Sequence, residues 1–301
     1  MTITLPKWLE AVVLGLIQGI TEFLPVSSSG HLTIAPYLLS FEQPTLAFGV
    51  LLHLATLLAV VAYFRADLWF LGRGLLGVGS LTPEDHRLAR RTILLLAIGS
   101  VPAAIAGLLL DEVIGDVFEN ALIAAGFLLV TAAILTFAER VRRRRATAAF
   151  GAEAVAADPA LDVGRDESTV SPTDALLIGV AQAFAILPGI SRAGSTMATG
   201  MVRGLTRTAA ARFSFLLSIP VIAGAGVLEL SSMEVGAFGG FSTGDVVAAS
   251  VAAGLSGYWA IRFLLKLVAE DDLTGFAKYL VVVSLLTLSG YFWLGPPGTV
   301  G

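Results

Sequence analysis

Leu24-Pro25-Val26-Ser27-Ser28-Ser29-Gly30-His31 interrupts an apolar stretch, about 8–41, that is otherwise fit for a bilayer. Proline removes a backbone donor and glycine loosens a helix. Broken backbone at membrane depth persists only where protein or a water-filled cavity covers it. The stretch therefore predicts a re-entrant helical hairpin with the polar motif at its tip. Leu187-Pro188-Gly189-Ile190-Ser191-Arg192 breaks the apolar region 173–205 in the same way and predicts a second hairpin.

The rest of the chain supplies the membrane context. Apolar residues make up 56% of it, charged residues 14%, and the mean hydropathy is +0.84. Soluble domains carry about 25% charged residues, so lipid rather than a charged skin must cover this surface. Six stretches, near 46–64, 91–110, 120–138, 211–230, 245–268 and 276–294, are long enough to span. The expected fold is an all-α polytopic membrane protein with six full transmembrane helices and two re-entrant hairpins. Cysteine is absent, which excludes disulfides, thiolate metal sites and a cysteine nucleophile. The acidic pI of about 5.4 argues against a nucleic-acid partner. Met1 to Glu10 lacks a basic start and a cleavage site, so the N-terminus reads as mature protein.

Charged loops set the orientation. Arg65, Arg73, Arg87, Arg90 and Arg91 follow the first span, and Arg140 with Arg142 to Arg145 follow the third. Asp111, Glu112, Asp116 and Glu119 lie in one intervening loop, Glu234 and Asp245 in another. Arginine-rich loops stay in the cytoplasm. The first hairpin then enters from outside and the second from the cytoplasm, and both termini lie outside. Three spans separate the hairpins, so the second half is inverted relative to the first. Two inverted repeats, 1–138 and 173–301, would flank a cytoplasmic linker at 139–172, whose polar composition predicts mobility. Gly15-Leu16-Ile17-Gln18 answers Gly179-Val180-Ala181-Gln182, and with a one-residue gap Pro25-Val26-Ser27-Ser28 answers Pro188-Gly189-Ile190-Ser191. Inverted repeats place their site near the midplane, where broken segments meet. The arginine run reads as a topology signal, with anionic headgroups as a second use.

Ionisable groups at membrane depth are costly and count as functional candidates. Glu22 follows Gln18 by four residues, so both share a helix face. A carboxylate and an amide oxygen there suit a divalent metal, Mg2+ or Ca2+, held together with substrate oxygens. Ser27, Ser28 and Ser29, opening a helix at Gly30-His31, offer hydroxyls and backbone N–H groups to an anion. One serine could attack as a nucleophile with His31 or Glu22 as base; helix capping is the plainer use. Arg192 needs an anionic partner, and its planar fork fits phosphate. Ser191, Ser195 and Thr196 surround it with donors. Pairing with Glu22 is the structural alternative, and it too would join the motifs. His53, mid-span, reads as hydrogen-bonded within the bundle, His86 as solvated, and Arg203, Arg207 and Arg212 as interface markers. A carboxylate, hydroxyls, a histidine and an arginine inside a membrane suit a phosphate or diphosphate carried by a lipid.

Gly15 to His31 closely resembles the first signature of the bacitracin-resistance family of undecaprenyl-diphosphate phosphatases. Pro188-Gly189-Ile190-Ser191-Arg192-Ala193-Gly194-Ser195-Thr196 resembles its second, and Ala211 to Pro220 is also similar to the family. The resemblance covers nearly the whole chain except 139–172. It implies hydrolysis of undecaprenyl diphosphate to the monophosphate and inorganic phosphate, recycling the cell-wall lipid carrier and conferring bacitracin resistance. It also implies a divalent metal, a homodimer, a multi-pass place in the bacterial inner membrane and a site open to the outer face. Glu22 matches the family's essential acid, Ser28 a proposed nucleophile, His31 the first motif's histidine and Arg192 the phosphate-binding arginine. Gln18 stands at an acidic position of the family pattern. Ser28, His31 and an activated water all remain open as the attacking group. A lipid-phosphate transporter or flippase is the rival reading, since inverted repeats with broken helices are transporter architecture.

Overall fold

The structure is a computed structural model of the chain, describing residues 5–118, 120–158, 161–232 and 238–294. Twelve α-helices stand among them: α1 Lys7–Phe23, α2 Ser28–Leu39, α3 Leu46–Tyr63, α4 Arg65–Leu76, α5 Pro83–Phe118, α6 Ala121–Phe150, α7 Ala152–Ala157, α8 Pro172–Phe184, α9 Arg192–Val202, α10 Arg207–Ser232, α11 Thr243–Glu270 and α12 Thr274–Leu294. The only β pairing among the described residues is an isolated bridge between Arg165 and Leu205.

Six helices are long and apolar enough to cross a membrane: Leu46–Tyr63, Pro83–Leu109, Ala121–Phe150, Arg207–Leu230, Thr243–Glu270 and Thr274–Trp293. They coincide with the six expected stretches. α5 and α6 overrun the expected ends because arginine and alanine are good helix formers, so a polar end need not stop the helix. Both proline-broken regions form helix pairs, α1 with α2 and α8 with α9. Glu119, Glu234 and the termini at 1–4 and 295–301 lie outside the described residues, as do the side chains of Asp111, Glu112 and Asp116.

Glycine decides how the broken pairs dock. α1 lies along α11 and α8 along α5. A Cβ on Gly15 would stand 2.2 Å from the Ala249 carbonyl oxygen, and one on Gly179 would stand 2.3 Å from the Gly99 carbonyl oxygen. Small residues permit this backbone approach, which packing inside lipid requires. The helix starts of α2 and α9 meet at the centre, where a Cβ on Gly30 would fall 2.9 Å from the Gly189 Cα.

The 139–172 stretch departs from the expected mobile linker. α6 runs through its first part, and much of the rest is tied to the bundle. Arg142 is buried; its Nε donates to Glu139 at 2.7 Å and its Nη1 to the Leu161 carbonyl at 2.7 Å. Arg145 donates to the Met201 carbonyl at 2.6 Å and also to Val202, while Arg143 pairs with Asp272. Arg165 and Arg203 both grip Asp174, each at 2.8 Å. Burial pushes the Asp174 carboxyl up, but the Ser171 N–H and these two guanidiniums outweigh it and hold it well below the usual range. Arg212 bridges Asp67 and Glu167 at 2.6 Å each. Arg207 is fully buried, and its backbone N–H donates to Asp162 at 2.7 Å. Most of these arginines thus lock helices together, beyond the topological role the sequence assigns them.

Candidate active site

α1 brings Gln18 and Glu22 to its last two turns, both buried. Leu24 leaves the helix in extended backbone before Pro25. Ser27 then takes a positive φ of 71°, which a non-glycine residue holds only when its surroundings insist. Its Oγ supplies that insistence, accepting from Gly30 N at 3.2 Å and from Gly189 N at 3.1 Å. Ser27 caps α2, and Ser191 caps α9 by accepting from Gly194 N at 3.0 Å. Thr131 of α6 fastens the second tip: its Oγ1 donates to the Gly189 carbonyl at 2.8 Å and accepts from Ser191 N at 3.0 Å.

Glu22 is the centre of the constellation. Its Oε1 accepts from Arg192 Nη2 at 2.7 Å, across the two motifs. Its Oε2 accepts from Ser28 Oγ at 2.7 Å and from Gln18 Nε2 at 3.0 Å. His53 Nε2 stands 3.5 Å from the same oxygen, while its Nδ1 donates to the Gly49 carbonyl at 2.9 Å. Arg192 spends two of its five N–H donors, one on Glu22 and one, at 3.4 Å, on the Ser214 carbonyl, leaving three for an incoming oxyanion. Four expected site residues, Gln18, Glu22, Ser28 and Arg192, are therefore joined directly.

The remaining candidates take other places. His31 Nδ1 lies 2.7 Å from the Ser27 carbonyl, and Nε2 lies 2.8 Å from the Tyr279 hydroxyl. A carbonyl only accepts, so Nδ1 carries the hydrogen, and in the neutral ring Nε2 accepts from tyrosine. The two rings stack with centroids 5.6 Å apart. His31 is thus bonded to α12 and to its own helix start, with no hydrogen bond to Glu22 or Ser28. Ser29 Oγ meets Ser27 Oγ at 3.3 Å. Thr196 Oγ1 meets Ser214 Oγ at 2.6 Å and donates to the Arg192 carbonyl at 2.7 Å. Ser195 Oγ is buried without a partner among the described residues.

Sequence reasoning undervalued His53 and passed over Tyr279 and Thr131. The hydrogen bond expected for His53 is present, but so is its approach to Glu22. Its mid-span position was the available signal, the same one that singled out Glu22. Tyr279 and Thr131 carry no such signal, because a hydroxyl inside a bundle is ordinary.

For a metal, the donors are oxygen-based and few. Among the described residues no cluster of three or more His, Cys, Asp or Glu side chains stands ready to cage an ion. Gln18 Oε1 is nevertheless buried with no partner, beside the Glu22 carboxylate. That pair fits a hard cation sharing its remaining ligands with substrate and water.

Comparison with known proteins shows the family. The family model described as "Bacitracin resistance protein BacA" matches residues 11–286. An undecaprenyl-diphosphatase of Desulfosudis oleivorans is 40% identical over 95% of this chain and 98% of its own. Another from Hahella chejuensis is 39% identical over 95% and 98%, and one from Methanosphaera stadtmanae is 36% identical over 93% and 96%. With six apolar helices and its two motifs joined at Glu22, this chain is a multi-pass membrane protein belonging to the BacA bacitracin-resistance family.

Proposed function

We propose that the chain hydrolyses undecaprenyl diphosphate to undecaprenyl phosphate and inorganic phosphate, recycling the lipid carrier and conferring bacitracin resistance. The observation that carries this reading is the double engagement of Glu22, by Ser28 on one oxygen and Arg192 on the other. A transporter needs only binding groups. A hydroxyl hydrogen-bonded to a buried carboxylate is an attacking group beside its base. Relatives named undecaprenyl-diphosphatase across nearly the full length support the same substrate.

The chemistry follows from these contacts. Arg192 binds the terminal phosphoryl oxygens through its spare N–H donors and offsets charge that grows in the transition state. Ser28 Oγ passes its proton to Glu22 and attacks the terminal phosphorus, and the bond to the bridging oxygen breaks. Undecaprenyl phosphate leaves. Water then attacks the phosphoserine, freeing inorganic phosphate and restoring the Ser28 hydroxyl. Gln18 and His53 hold the Glu22 carboxylate in place. Ser27, Ser191 and Thr131 fix the two helix starts, whose N–H groups favour an anion. A divalent ion held by Glu22 and Gln18 would polarise phosphoryl oxygens when bound.

The same proposal includes the inverted repeat, with α1–α2 and α8–α9 as re-entrant hairpins. Gly15, Gln18, Ser27 and Gly30 recur as Gly179, Gln182, Ser191 and Gly194 at unchanged spacing. The capping serines therefore favour Ser27 as the counterpart of Ser191, with no gap, in place of the Pro25–Pro188 alignment. Packing of α1 on α11 and of α8 on α5, each through the first glycine of its set, supports that pairing. The orientation, with termini outside and 139–172 cytoplasmic, rests on the arginine-rich ends of α4 to α6. The homodimer rests on family resemblance.

The test is phosphate release from a long polyprenyl diphosphate by purified protein in defined divalent metal, with and without chelator. Release that vanishes in Glu22→Gln and Ser28→Ala is the expected result. Binding without release by the wild type in every divalent metal would overturn the reading in favour of transport.

A further inference from the structure

We propose a second lipid site, for one anionic phospholipid, in the groove between α6 and α12. A cavity of about 360 Å³ opens there, lined by Leu129, Ala133, Phe137 and Arg140 of α6 and by Val281 of α12. Leu129 and Arg140 are separated along the helix by about 16 Å at the α-helical rise. One leaflet of hydrocarbon is about 15 Å thick. The groove is therefore as long as one acyl chain lying in one leaflet.

Two cations stand at one end of it, and a third lies part-way along. Arg140 lines the cavity, and Arg144 follows four residues later on the same face of α6. Lys278 lies three residues before Val281 on α12, one turn toward that end. Leu273 N donates to Glu139 at 3.0 Å and Ser284 Oγ to the Ala125 carbonyl at 2.8 Å, which fixes the antiparallel register of the two helices. Arg140, Arg144 and Lys278 are exposed, and none makes an ion pair or hydrogen bond among the described residues. Of the acids beside them, Glu139 is paired with Arg142 and Asp272 with Arg143, and the Asp271 carboxylate accepts from Asp272 N. Their neighbours in the arginine run, Arg142, Arg143 and Arg145, all have partners. The cations left over call for an external anion at headgroup depth, above a seat for its chain. A second copy of this chain fits less well, because a two-fold interface would set the same three cations against one another.

The experiment is native mass spectrometry of the full-length protein released from micelles containing phosphatidylglycerol or phosphatidylcholine. Wild type should retain one phosphatidylglycerol with at least about tenfold preference, since each surface cation favours an anionic headgroup. The triple variant R140Q/R144Q/K278Q should lose that preference, while R262Q/K266Q, which removes exposed cations from α11, should keep it. Ala133→Phe, which fills the groove and leaves the cations, should lower retention as well. The site is overturned by equal retention of the two lipids. It is also overturned by equal losses in the triple variant and the α11 control, by full retention in Ala133→Phe, or by a dimer that the triple variant dissociates.

Discussion

Arg192→Ala tests whether the central ion pair is a scaffold or a working part. Arg192 Nη2 lies 2.7 Å from Glu22 Oε1, with side-chain exposures of 14% and 6%. Removing one partner of a buried pair costs about 3–5 kcal/mol, because the other charge is left alone. Ser28 and Gln18 still donate to Glu22 Oε2, so the lower end, about 3 kcal/mol, applies. Catalysis loses more than stability explains, since one removed oxyanion donor costs about 10²–10³ in rate. Here Arg192 also anchors the Glu22 carboxylate, so a loss of about 10³ or more is expected. The discriminating measurement is the double variant Arg192→Ala/Glu22→Gln, followed by thermal unfolding in detergent and by phosphate release. Removing both charges should recover about 1–3 kcal/mol relative to the sum of the single changes. Activity should stay lost. Activity returning in the double variant would mean that the arginine only neutralises Glu22. A single variant within tenfold of wild type would likewise refute the clamp.

Three further outcomes are expected. Ser28→Ala should cut kcat by about 10³ or more with KM little changed, whereas His31→Ala, whose bonds go to Ser27 and Tyr279, should cost only about tenfold; equal losses would move the attacking or basic role to histidine. Gly15→Val and Gly179→Val each drive a side chain into a carbonyl 2.2 and 2.3 Å away. Each should cost more than the roughly 1–3 kcal/mol of ordinary overpacking, read as loss of the monodisperse peak in size-exclusion chromatography; normal folding of both would refute the close approach. Asp174 has its carboxyl held below the 3.8 of a free group, so its stabilising contribution is fully present above that pH and declines as pH falls toward the lower folded value. Asp174→Asn should therefore lower the melting temperature equally at pH 6 and pH 8, with the gap narrowing only below about pH 4.

Apolar length and proline breaks made the spans and the two broken helix pairs legible, because lipid permits few alternatives. Glu22, Ser28 and Arg192 were legible for a related reason: a polar group at depth must be satisfied, and these could satisfy one another. The aim of His31 was not legible. Three residues after Ser28 on a helix, it was free on sequence grounds to face the site or α12, and Tyr279 decides between them only once α12 is packed. The 139–172 stretch was misread because its polar composition resembles a solvated linker. Several of its arginines instead find partners far away in sequence, Arg143 at Asp272 and Arg145 at the Met201 and Val202 carbonyls, which composition cannot reveal.

The pairing of capping serines gives the two halves a division of labour. Under the proposed repeat, the position after each cap is equivalent, and it holds Ser28 in one half and Arg192 in the other. Identical halves would bring two hydroxyls, or two guanidiniums, to the same carboxylate. Two hydroxyls would leave the buried Glu22 charge and the incoming diphosphate to repel each other. Two guanidiniums would leave no group to attack. One of each lets Arg192 stand between the carboxylate and the phosphate, attracted to both, while Ser28 keeps its proton, hydrogen-bonded to Glu22, until phosphorus arrives. Under that proposal, the divergence at this single position accounts for a site that draws on both motifs and that neither helix pair alone contains.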